Sequence, residues 1–315
     1  MTSRTSRTSR EQRIADFIAP FRVEPGQKVK LGRDFAPDFK GTIGSKKRGR
    51  KLLVQGTELL SEYQSRLYAD NTHGVLVVLQ ALDAAGKDGT IRHVMTGVNP
   101  QGVAVHSFKV PSSEELDHDY LWRYGVRLPG RGQIGIFNRS HYEEVLVVRV
   151  HQELLDRQKL PRGTRKGVWK RRYHEINEWE RMLSANGIKI VKLFLNLSHE
   201  EQRIRFLRRI DLRDHNWKFS AADVREREYW DSYQNAFSRM LSSTSTEWAP
   251  WYVIPADRKW YARIAAAAVI ANTLIEIDPR YPKVGKDARA ALQEIKTALE
   301  KQAPEGAAPD PFAGE

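Results

Sequence analysis

Residues 74–91 read GVLVVLQALDAAGKDGTI, and this stretch sets the architecture of the chain. It opens with an uninterrupted apolar run, residues 75–79, which predicts a strand buried on both faces. Small and polar residues follow at once and lead to Gly86-Lys87-Asp88-Gly89. This order predicts a buried strand, a tight turn and the start of a helix.

The predicted turn is suited to binding an anion. Backbone N–H groups at a helix N-terminus, with a lysine beside them, hold phosphate in the Walker A loop, G-x-x-x-x-G-K-[ST]. The match is imperfect, because Ala81 stands at the first glycine and Asp88 follows the lysine. An ordinary strand-to-helix turn with a surface lysine is the alternative. The residues predicted to bind phosphate are Ala84, Ala85, Gly86, Lys87, Asp88, Gly89 and Thr90.

The composition bounds the possible classes of protein. The 315 residues suffice for one large domain or two small ones. No cysteine is present, which excludes disulfides and thiolate metal sites. The sequence contains neither an apolar run of roughly 20 residues nor a secretory signal, so we expect a cytoplasmic protein without a membrane span.

The charge balance is basic. Fifty-two Lys and Arg residues against 39 Asp and Glu give a net charge of +13. Such a surplus favours polyanionic partners, among them nucleic acid, nucleotides, inorganic polyphosphate and anionic membranes. A solvated basic surface is the alternative.

Five apolar segments alternate with segments long enough for crossover helices. The predicted strands are residues 74–80, 103–108, 133–137, 189–195 and 251–254. The predicted crossover helices are residues 87–97, 113–124, 169–186 and 199–209. This alternation indicates an α/β protein, with a central parallel sheet of about five strands between two layers of helices.

The remaining segments flank or interrupt this alternation. They comprise a basic tail with a short helix (1–21, helix 11–21), an extended arm (23–50), a helix (52–67), a helical insertion predicted as a lid (212–248), a helix (261–277), and a C-terminal helix with a disordered tail (282–315). The main domain is expected to span residues 22–281.

Two polar segments follow predicted strands, and the carboxyl ends of parallel strands are where ligands bind. In the first, Asp83 could hold Mg²⁺, while Asp88 could assist or could cap the next helix. In the second, Arg139 could grip phosphate in bidentate fashion, or it could pair with a glutamate on the next turn, Glu143 or Glu144. Asn138 stands where a Walker B carboxylate is usual.

Cations on the segment 199–209 and beyond offer a further phosphate contact. Helical spacing predicts an apolar face of Phe206, Leu207 and Ile210, with Arg205, Arg208 and Arg209 opposite. This stripe could clamp phosphates or be a solvated face. Lys218 is one more cation at the start of the insertion. His141, His151 and His174 lack metal-ligand spacing and are predicted to be structural.

Taken together, these motifs resemble the polyphosphate kinase 2 family. The resemblance covers residues 22–281 and rests on DAAGKDGT (83–90), VNPQG (98–102), HDYLWR (118–123), FNRSHYE (137–143), WKF (217–219) and APWYVIPA (249–256). It implies a P-loop kinase fold similar to thymidylate kinase, with a helical lid, assembled as a homodimer or homotetramer. It also implies reversible, Mg²⁺-dependent (or Mn²⁺-dependent) transfer of phosphate between inorganic polyphosphate and adenine nucleotides.

The resemblance also assigns roles to residues. Asp83, Lys87 and Arg139 are expected to be catalytic, with Asp83 as the metal ligand. Asn138 resembles the subgroup that phosphorylates AMP and often ADP. The expected polyphosphate contacts outside the loop are Arg205, Arg209 and Lys218, and the expected nucleotide contacts are Asp119, Arg123, Asn138, Arg139 and Glu153.

Two other functions are compatible with parts of the sequence. An ATP-dependent nucleotide kinase of thymidylate-kinase-like fold would share the loop and differ in its phosphate donor. A nucleic-acid-binding protein would use the basic surface, but the sequence has no groove-reading helix motif and no RNP-type aromatics. Nucleic acid is therefore not an expected partner.

Overall fold

Five parallel strands form one sheet in the first of two structural units, residues 1–280 and 281–315. The computed structural model describes residues 9–218 and 220–304, except for the side chains of Ser9, His215 and Lys218. The strands are β1 (Gly74–Ala81), β2 (Val103–Ser107), β3 (Ile134–Asn138), β4 (Ile188–Asn196) and β5 (Trp251–Pro255). Their order across the sheet is β2–β3–β1–β4–β5.

Thirteen α-helices accompany the strands in the described part of the chain. They are α1 (Ser9–Ile18), α2 (Leu31–Asp34), α3 (Lys46–Asp70), α4 (Lys87–Val94), α5 (Ser113–Asp117), α6 (Trp122–Gly125), α7 (Val147–Val150), α8 (Val168–Ala185), α9 (His199–Asp211), α10 (Ala221–Arg225), α11 (Trp230–Thr244), α12 (Lys259–Ile277) and, in the second unit, α13 (Lys286–Glu300). Short 3₁₀ segments are Ala19–Phe21, Pro100–Gly102, His141–Val145, Gln152–Gln158, Arg213–Lys218 and Glu226–Tyr229.

The sheet is covered on both faces, as a continuous apolar strand requires. Side chains of β1 alternate between two cores: Val75, Val77 and Leu79 enter the first, and Leu76 and Val78 enter the second. Helices α3 and α12 contribute to the first core, while α8 and α11 contribute to the second. The predicted three-layer α/β/α arrangement is therefore confirmed.

Helix α12 belongs to this core although its composition resembles that of a membrane span. By length and composition alone it could cross a membrane, but 61% of its apolar stretch is buried inside the protein. Ala265, Ala266 and Val269 are fully buried in the first core. The apolar composition of α12 therefore matches its place in the core.

All five predicted strands form, and every strand end lies within one residue of the predicted end. The helix predicted over residues 113–124 is wrong, because the chain breaks into α5 and α6. Between them Asp119 Oδ1 accepts a hydrogen bond from the backbone N–H of Leu121 at 2.9 Å, a local turn that competes with helix. The predicted arm 23–50 contains α2 and the start of α3. The predicted tails fall largely outside the described residues.

The insertion, residues 212–248, only partly resembles the predicted lid. Its second half, α11, packs in the second core, where Tyr233, Phe237 and Met240 are buried. The rings of Phe194 and Phe237 lie 4.4 Å apart between β4 and α11. Tyr233 and Phe237 therefore anchor this half to the second core, whereas Leu212 and Trp217, in the part of the insertion before α11, line the cavity at the end of β1.

Candidate functional site

The loop between β1 and α4 is held in a backbone conformation that few residues adopt. Ala84 has φ +63° and Gly86 has φ +102°, both in the left-handed region. Gly86 is the N-cap of α4, and Lys87 is the first residue of that helix. A loop of this kind presents its N–H groups and a helix N-terminus to an anion.

Lys87 points back into the loop. Its Nζ donates to the carbonyl of Ala81 at 2.9 Å and lies 4.0 Å from Asp83 Oδ1. The side chain is only 11% exposed, and this burial lowers the pKa of Lys87 from its usual value. The ammonium group of Lys87 therefore faces the interior of the loop, as expected of a lysine that binds phosphate there.

Arg139 joins the second polar segment to the loop. It follows β3 with φ +64°, and its backbone N–H donates to the carbonyl of Leu79 at 3.1 Å. Nη2 lies 3.0 Å from Asp83 Oδ1, and Nη1 lies 3.4 Å from Glu143 Oε2. The predicted ion pair with Glu143 and the predicted approach to the loop are both present.

Asp83 stays ionised at the centre of these cations. Burial by itself would raise its pKa, but the charges of Lys87 and Arg139 outweigh burial and hold the pKa below its usual value. Both ion pairs engage Oδ1. A carboxylate with one oxygen so engaged is available through the other to a cationic ligand.

Asn138 and Asp88 form a direct contact that links β3 to α4. Asn138 Nδ2 donates to Asp88 Oδ1 at 2.8 Å and lies 3.3 Å from Ser107 Oγ. Asp88 makes no capping hydrogen bond, since Gly86 occupies the N-cap position and no side chain caps it, but its carboxylate does lie in the first turn of α4, where the helix dipole favours it. Asp88 is also fixed by an amide that cannot repel it.

A cavity of about 920 Å³ opens over the loop and is strongly positive. Nine Lys or Arg side chains line it, against two carboxylates, those of Asp83 and Asp88. The sequence analysis singled out five of these cations, at positions 87, 139, 205, 208 and 209. The others, which sequence reasoning missed, are Arg92, Lys109, Lys259 and Arg263.

Helix α9 turns a different face toward the loop from the one predicted. Phe206 is buried, but Leu207 and Ile210 are 45% and 49% exposed, so the predicted apolar face is wrong. The inward face instead carries Gln202, Arg205 and Phe206, each 4% exposed. Its arginine can be buried because protein groups satisfy its charge and its hydrogen bonds.

Arg205 is not available as a direct phosphate contact in this conformation. Its Nη1 donates to the carbonyls of Ala84 and Ala85, and its Nη2 donates to those of Ala256 and Asp257. Nε donates to a side chain of its own helix, Glu201, at 2.8 Å. These five bonds use all five N–H donors of a guanidinium.

The other two predicted lid cations differ in status. Arg209 lines the cavity, and its Nη1 lies 3.3 Å from Asp223 Oδ2 in α10. An ion pair of this kind, with each partner about a quarter exposed, can exchange for phosphate. The side chain of Lys218 lies outside the described residues, so its predicted role stays a prediction.

Three predicted nucleotide contacts are not at the loop cavity. Asp119 lines a separate cavity of about 370 Å³, and Arg123 is buried between Glu115 and the carbonyl of Lys109. Glu153 is 71% exposed and pairs with His151 Nδ1 at 3.4 Å. In this conformation only Asn138 and Arg139 of the five predicted residues line the loop cavity.

A buried ionic cluster supports the segment that carries Arg139. Lys192 Nζ donates to Glu180 Oε2 at 2.7 Å, to Tyr142 Oη at 2.9 Å and to the carbonyl of Thr244 at 2.6 Å. His141 Nε2 lies 3.1 Å from Glu180 Oε1. The prediction that His141 is a hydrogen-bonded structural histidine is confirmed, because its side chain is fully buried.

The state of His141 makes stability depend on pH. Burial lowers its pKa below the unperturbed value of about 6.5, although Glu180 opposes the shift. As the pH falls through about 6.5, the unfolded chain protonates this histidine while the folded chain does not. The free energy of unfolding therefore falls as the pH falls.

We expect His141 to contribute a loss of about 1 kcal/mol between pH 7.5 and 5.5, measured by denaturant unfolding. His141→Gln should flatten the curve over this range, whereas His174→Gln, at an exposed position of α8, should leave its slope unchanged. Equal acid sensitivity of His141→Gln and the unsubstituted protein would contradict this account.

The parallel sheet, the strand–loop–helix with its buried lysine and the cation-lined cavity define a phosphate-binding α/β protein of the P-loop kinase class. Within that class, the family model described as polyphosphate kinase 2 matches residues 44–282. The chain belongs to the polyphosphate kinase 2 family.

Individual relatives agree with this membership. The chain is 50% identical to an ADP-polyphosphate phosphotransferase of Rhodopseudomonas palustris, over 89% of this chain and 98% of the relative. It is 45% identical to an AMP/ADP-polyphosphate phosphotransferase of Meiothermus ruber, over 84% of this chain and 95% of the relative. The crystal structure of a polyphosphate kinase 2 from Arthrobacter aurescens superposes with a TM-score of 0.77 at 36% identity, covering 90% of this chain and 98% of that one.

Proposed function

We propose that this protein transfers phosphate from inorganic polyphosphate to AMP and ADP, reversibly. The observation that carries the proposal is the cavity over the loop, which eight Lys or Arg side chains besides the fully engaged Arg205 line, against two carboxylates. A nucleotide triphosphate needs only a few cations, whereas a long polyanion uses a continuous positive wall. Both relatives compared above act on polyphosphate by name.

The transfer step follows from the positions of the charged side chains. An oxygen of the acceptor phosphate forms a bond to the terminal phosphorus of polyphosphate, and the bridging P–O bond breaks. The shortened polyphosphate leaves with the bonding electron pair. Lys87 and Arg139 neutralise charge on the transferring group, and the loop N–H groups orient it. Arg209 joins them when it exchanges Asp223 for phosphate.

The residues fit a metal that shares its coordination with substrate. Within the described ranges no three His, Asp or Glu side chains lie close enough to hold a metal by themselves. Mg²⁺ commonly binds through one or two carboxylates, with phosphate oxygens and waters completing six ligands. Asp83 is ionised, 31% exposed and inside the cavity, so it would hold Mg²⁺ or Mn²⁺. When bound, the metal supplies further neutralisation of the phosphate oxygens.

We expect Asn138 to help determine which nucleotide is the acceptor. Its neutral amide places no second carboxylate beside Asp88, and an asparagine at this position resembles the family subgroup that accepts AMP.

Two further expectations belong to this proposal. Asp119, Arg123 and Glu153 contact the nucleotide only if the insertion and its neighbours rearrange, and the chain assembles as a homodimer or homotetramer, which light scattering would measure.

Asn138→Asp tests the acceptor choice. The new carboxylate would lie against Asp88 and repel it, so we expect the ratio of AMP to ADP phosphorylation to fall by about tenfold. Initial rates with each acceptor at saturating polyphosphate measure the ratio. Asn138→Ala removes the amide without adding charge and is the matched control. An unchanged ratio in Asn138→Asp would remove Asn138 from the acceptor site.

The product series from AMP, polyphosphate and Mg²⁺ tests the function as a whole. Sequential formation of ADP and then ATP would support both acceptors, and ADP alone would restrict the proposal to AMP. No phosphorylated product from AMP or ADP with polyphosphate would overturn it. Duplex DNA should not compete with polyphosphate at moderate salt, because the cations are gathered in a cavity around the phosphate loop rather than on a groove-reading element.

A further inference from the structure

Helix α9 holds the phosphate loop through two side chains, Gln202 and Arg205. Gln202 Nε2 donates to the carbonyl of Asp83 at 3.0 Å. One turn later, Arg205 Nη1 donates to the carbonyl of Ala84 at 3.1 Å and to that of Ala85 at 2.7 Å. Three consecutive loop carbonyls therefore accept hydrogen bonds from a single helix face.

These bonds determine which way the loop amides point. In a trans peptide the C=O and the N–H of the next residue lie on opposite sides. Fixing the carbonyls of Asp83 and Ala85 toward α9 therefore directs the N–H groups of Ala84 and Gly86 away from it. The left-handed φ of Ala84 is a conformation that alanine disfavours, so the surrounding contacts must maintain it.

Arg205 also fixes the loop relative to the end of β5. Its Nη2 donates to the carbonyls of Ala256 and Asp257 at 2.6 and 3.1 Å. One planar group thereby sets the spacing between the loop and the chain that leads into α12. A lysine has three donors on a single atom and cannot span the same acceptors.

Gln202 is itself oriented by the insertion. Its Oε1 accepts a hydrogen bond from Arg227 Nη1 at 2.8 Å, and Arg227 lies in the 3₁₀ segment Glu226–Tyr229. A guanidinium only donates and a backbone carbonyl only accepts, so these two partners fix the amide in one orientation. Arg227 also donates to the carbonyl of His199 at 3.1 Å, at the start of α9.

We propose that Gln202 and Arg205 are positioning residues that keep the phosphate loop in its transfer-competent shape, and that Arg227 acts on the loop through Gln202. The insertion is thereby connected to the loop by two hydrogen bonds, Arg227 to Gln202 and Gln202 to the Asp83 carbonyl. This inference rests on the proposed function, since its effect is read as phosphate transfer.

The first test compares Gln202→Leu and Arg205→Lys with Arg203→Ala, an exposed arginine of the same helix paired only with Glu200 in the described contacts. Transfer from polyphosphate to ADP is measured per folded enzyme. We expect kcat to fall by about 10- to 100-fold in the first two variants, since mispointed amides stabilise the transition state less. KM for ADP should stay within about twofold, because the loop does not bind the acceptor base. Arg203→Ala should match the unsubstituted protein.

The second test is a double-mutant cycle of Gln202→Leu and Arg227→Ala. If Arg227 acts through Gln202, the double variant is no slower than Gln202→Leu alone. Multiplying effects would overturn the relay, and an unchanged kcat in Gln202→Leu would overturn the positioning role. Gln202→Leu keeps the test decisive if Arg205→Lys unfolds. An inactive unsubstituted protein would instead count against the proposed function.

Discussion

Lys87→Met is expected to reduce polyphosphate-dependent phosphorylation of ADP by about 10²- to 10³-fold. The ammonium group is buried beside Asp83 and points into the loop, where the transferring phosphate would lie. Methionine fills nearly the same volume without charge, so the fold should persist. The variant lacks the positive charge that neutralises the phosphate oxygens in the transition state, so the loss should lower mainly kcat.

Thermal unfolding and initial rates at saturating substrate measure the two effects separately. Lys170→Met, at an exposed position of α8, is the matched control and should retain full activity. Near-normal turnover in Lys87→Met, with an unchanged melting temperature, would show that Lys87 takes no part in transfer. It would also contradict the conclusion that the loop between β1 and α4 binds the transferring phosphate. A large drop in melting temperature would instead show that the bond to the Ala81 carbonyl is structural.

Lys192→Met is expected to destabilise the protein by about 3–5 kcal/mol, lowering the melting temperature by on the order of 10 °C. Lys192 and Glu180 are fully buried, and the three donors of the ammonium are satisfied by Glu180, Tyr142 and the Thr244 carbonyl. Burial would raise the pKa of Glu180, but Lys192 keeps it below its usual value. Removing Lys192 leaves that carboxylate without its counter-charge.

The double variant Lys192→Met/Glu180→Gln separates charge from packing. Because the second change removes the orphaned carboxylate, we expect it to recover part of the lost free energy of unfolding, measured by urea titration. Arg181→Met, at an exposed ion pair on the same helix as Glu180, should leave the urea midpoint close to that of the unsubstituted protein. A double variant as unstable as the sum of its parts would contradict the ion-pair explanation.

The sheet could be predicted from sequence because its signal is local. In β1, β3 and β5 burial on both faces produces a nearly continuous apolar run, while β2 at the sheet edge and β4, with its two lysines, still carry enough apolar residues to be recognised. The same continuity located the loop, since the small and polar residues that lead to Gly86 and Lys87 begin where β1 ends. These predictions needed no information about which strands and helices contact one another in the folded protein.

The orientation of α9 could not be predicted in this way. Periodicity assigns charged residues to solvent, but Arg205 lies inward because the carbonyls of Ala84 and Ala85 need donors. These acceptors belong to the backbone of another element, so no spacing within α9 reveals them. The roles of Gln202 and Arg227 were missed for the same reason, since a glutamine and a distant arginine carry no motif.

The resemblance added roles to residues already singled out at strand ends and added further residues such as Glu153, and its results were uneven. Asp83, Lys87, Asn138 and Arg139 meet at the loop, because the ends of β1 and β3 are neighbours in the sheet. Glu153 lies elsewhere, because the short 3₁₀ segment Gln152–Gln158 directs it to solvent beside His151. In this chain, a sequence motif located a residue at the loop where that residue lies at the end of a strand, and did not do so for a residue in a short 3₁₀ segment.

The choice of phosphate donor tests the central claim most directly. Phosphorylation of AMP should be measured with nucleotide-free polyphosphate as donor and, in a matched reaction, with ATP as donor and no polyphosphate. We predict rapid formation of ADP from polyphosphate and little or none from ATP. Rapid phosphorylation by ATP together with no reaction from polyphosphate would contradict the account and would make this protein an ATP-dependent nucleotide kinase.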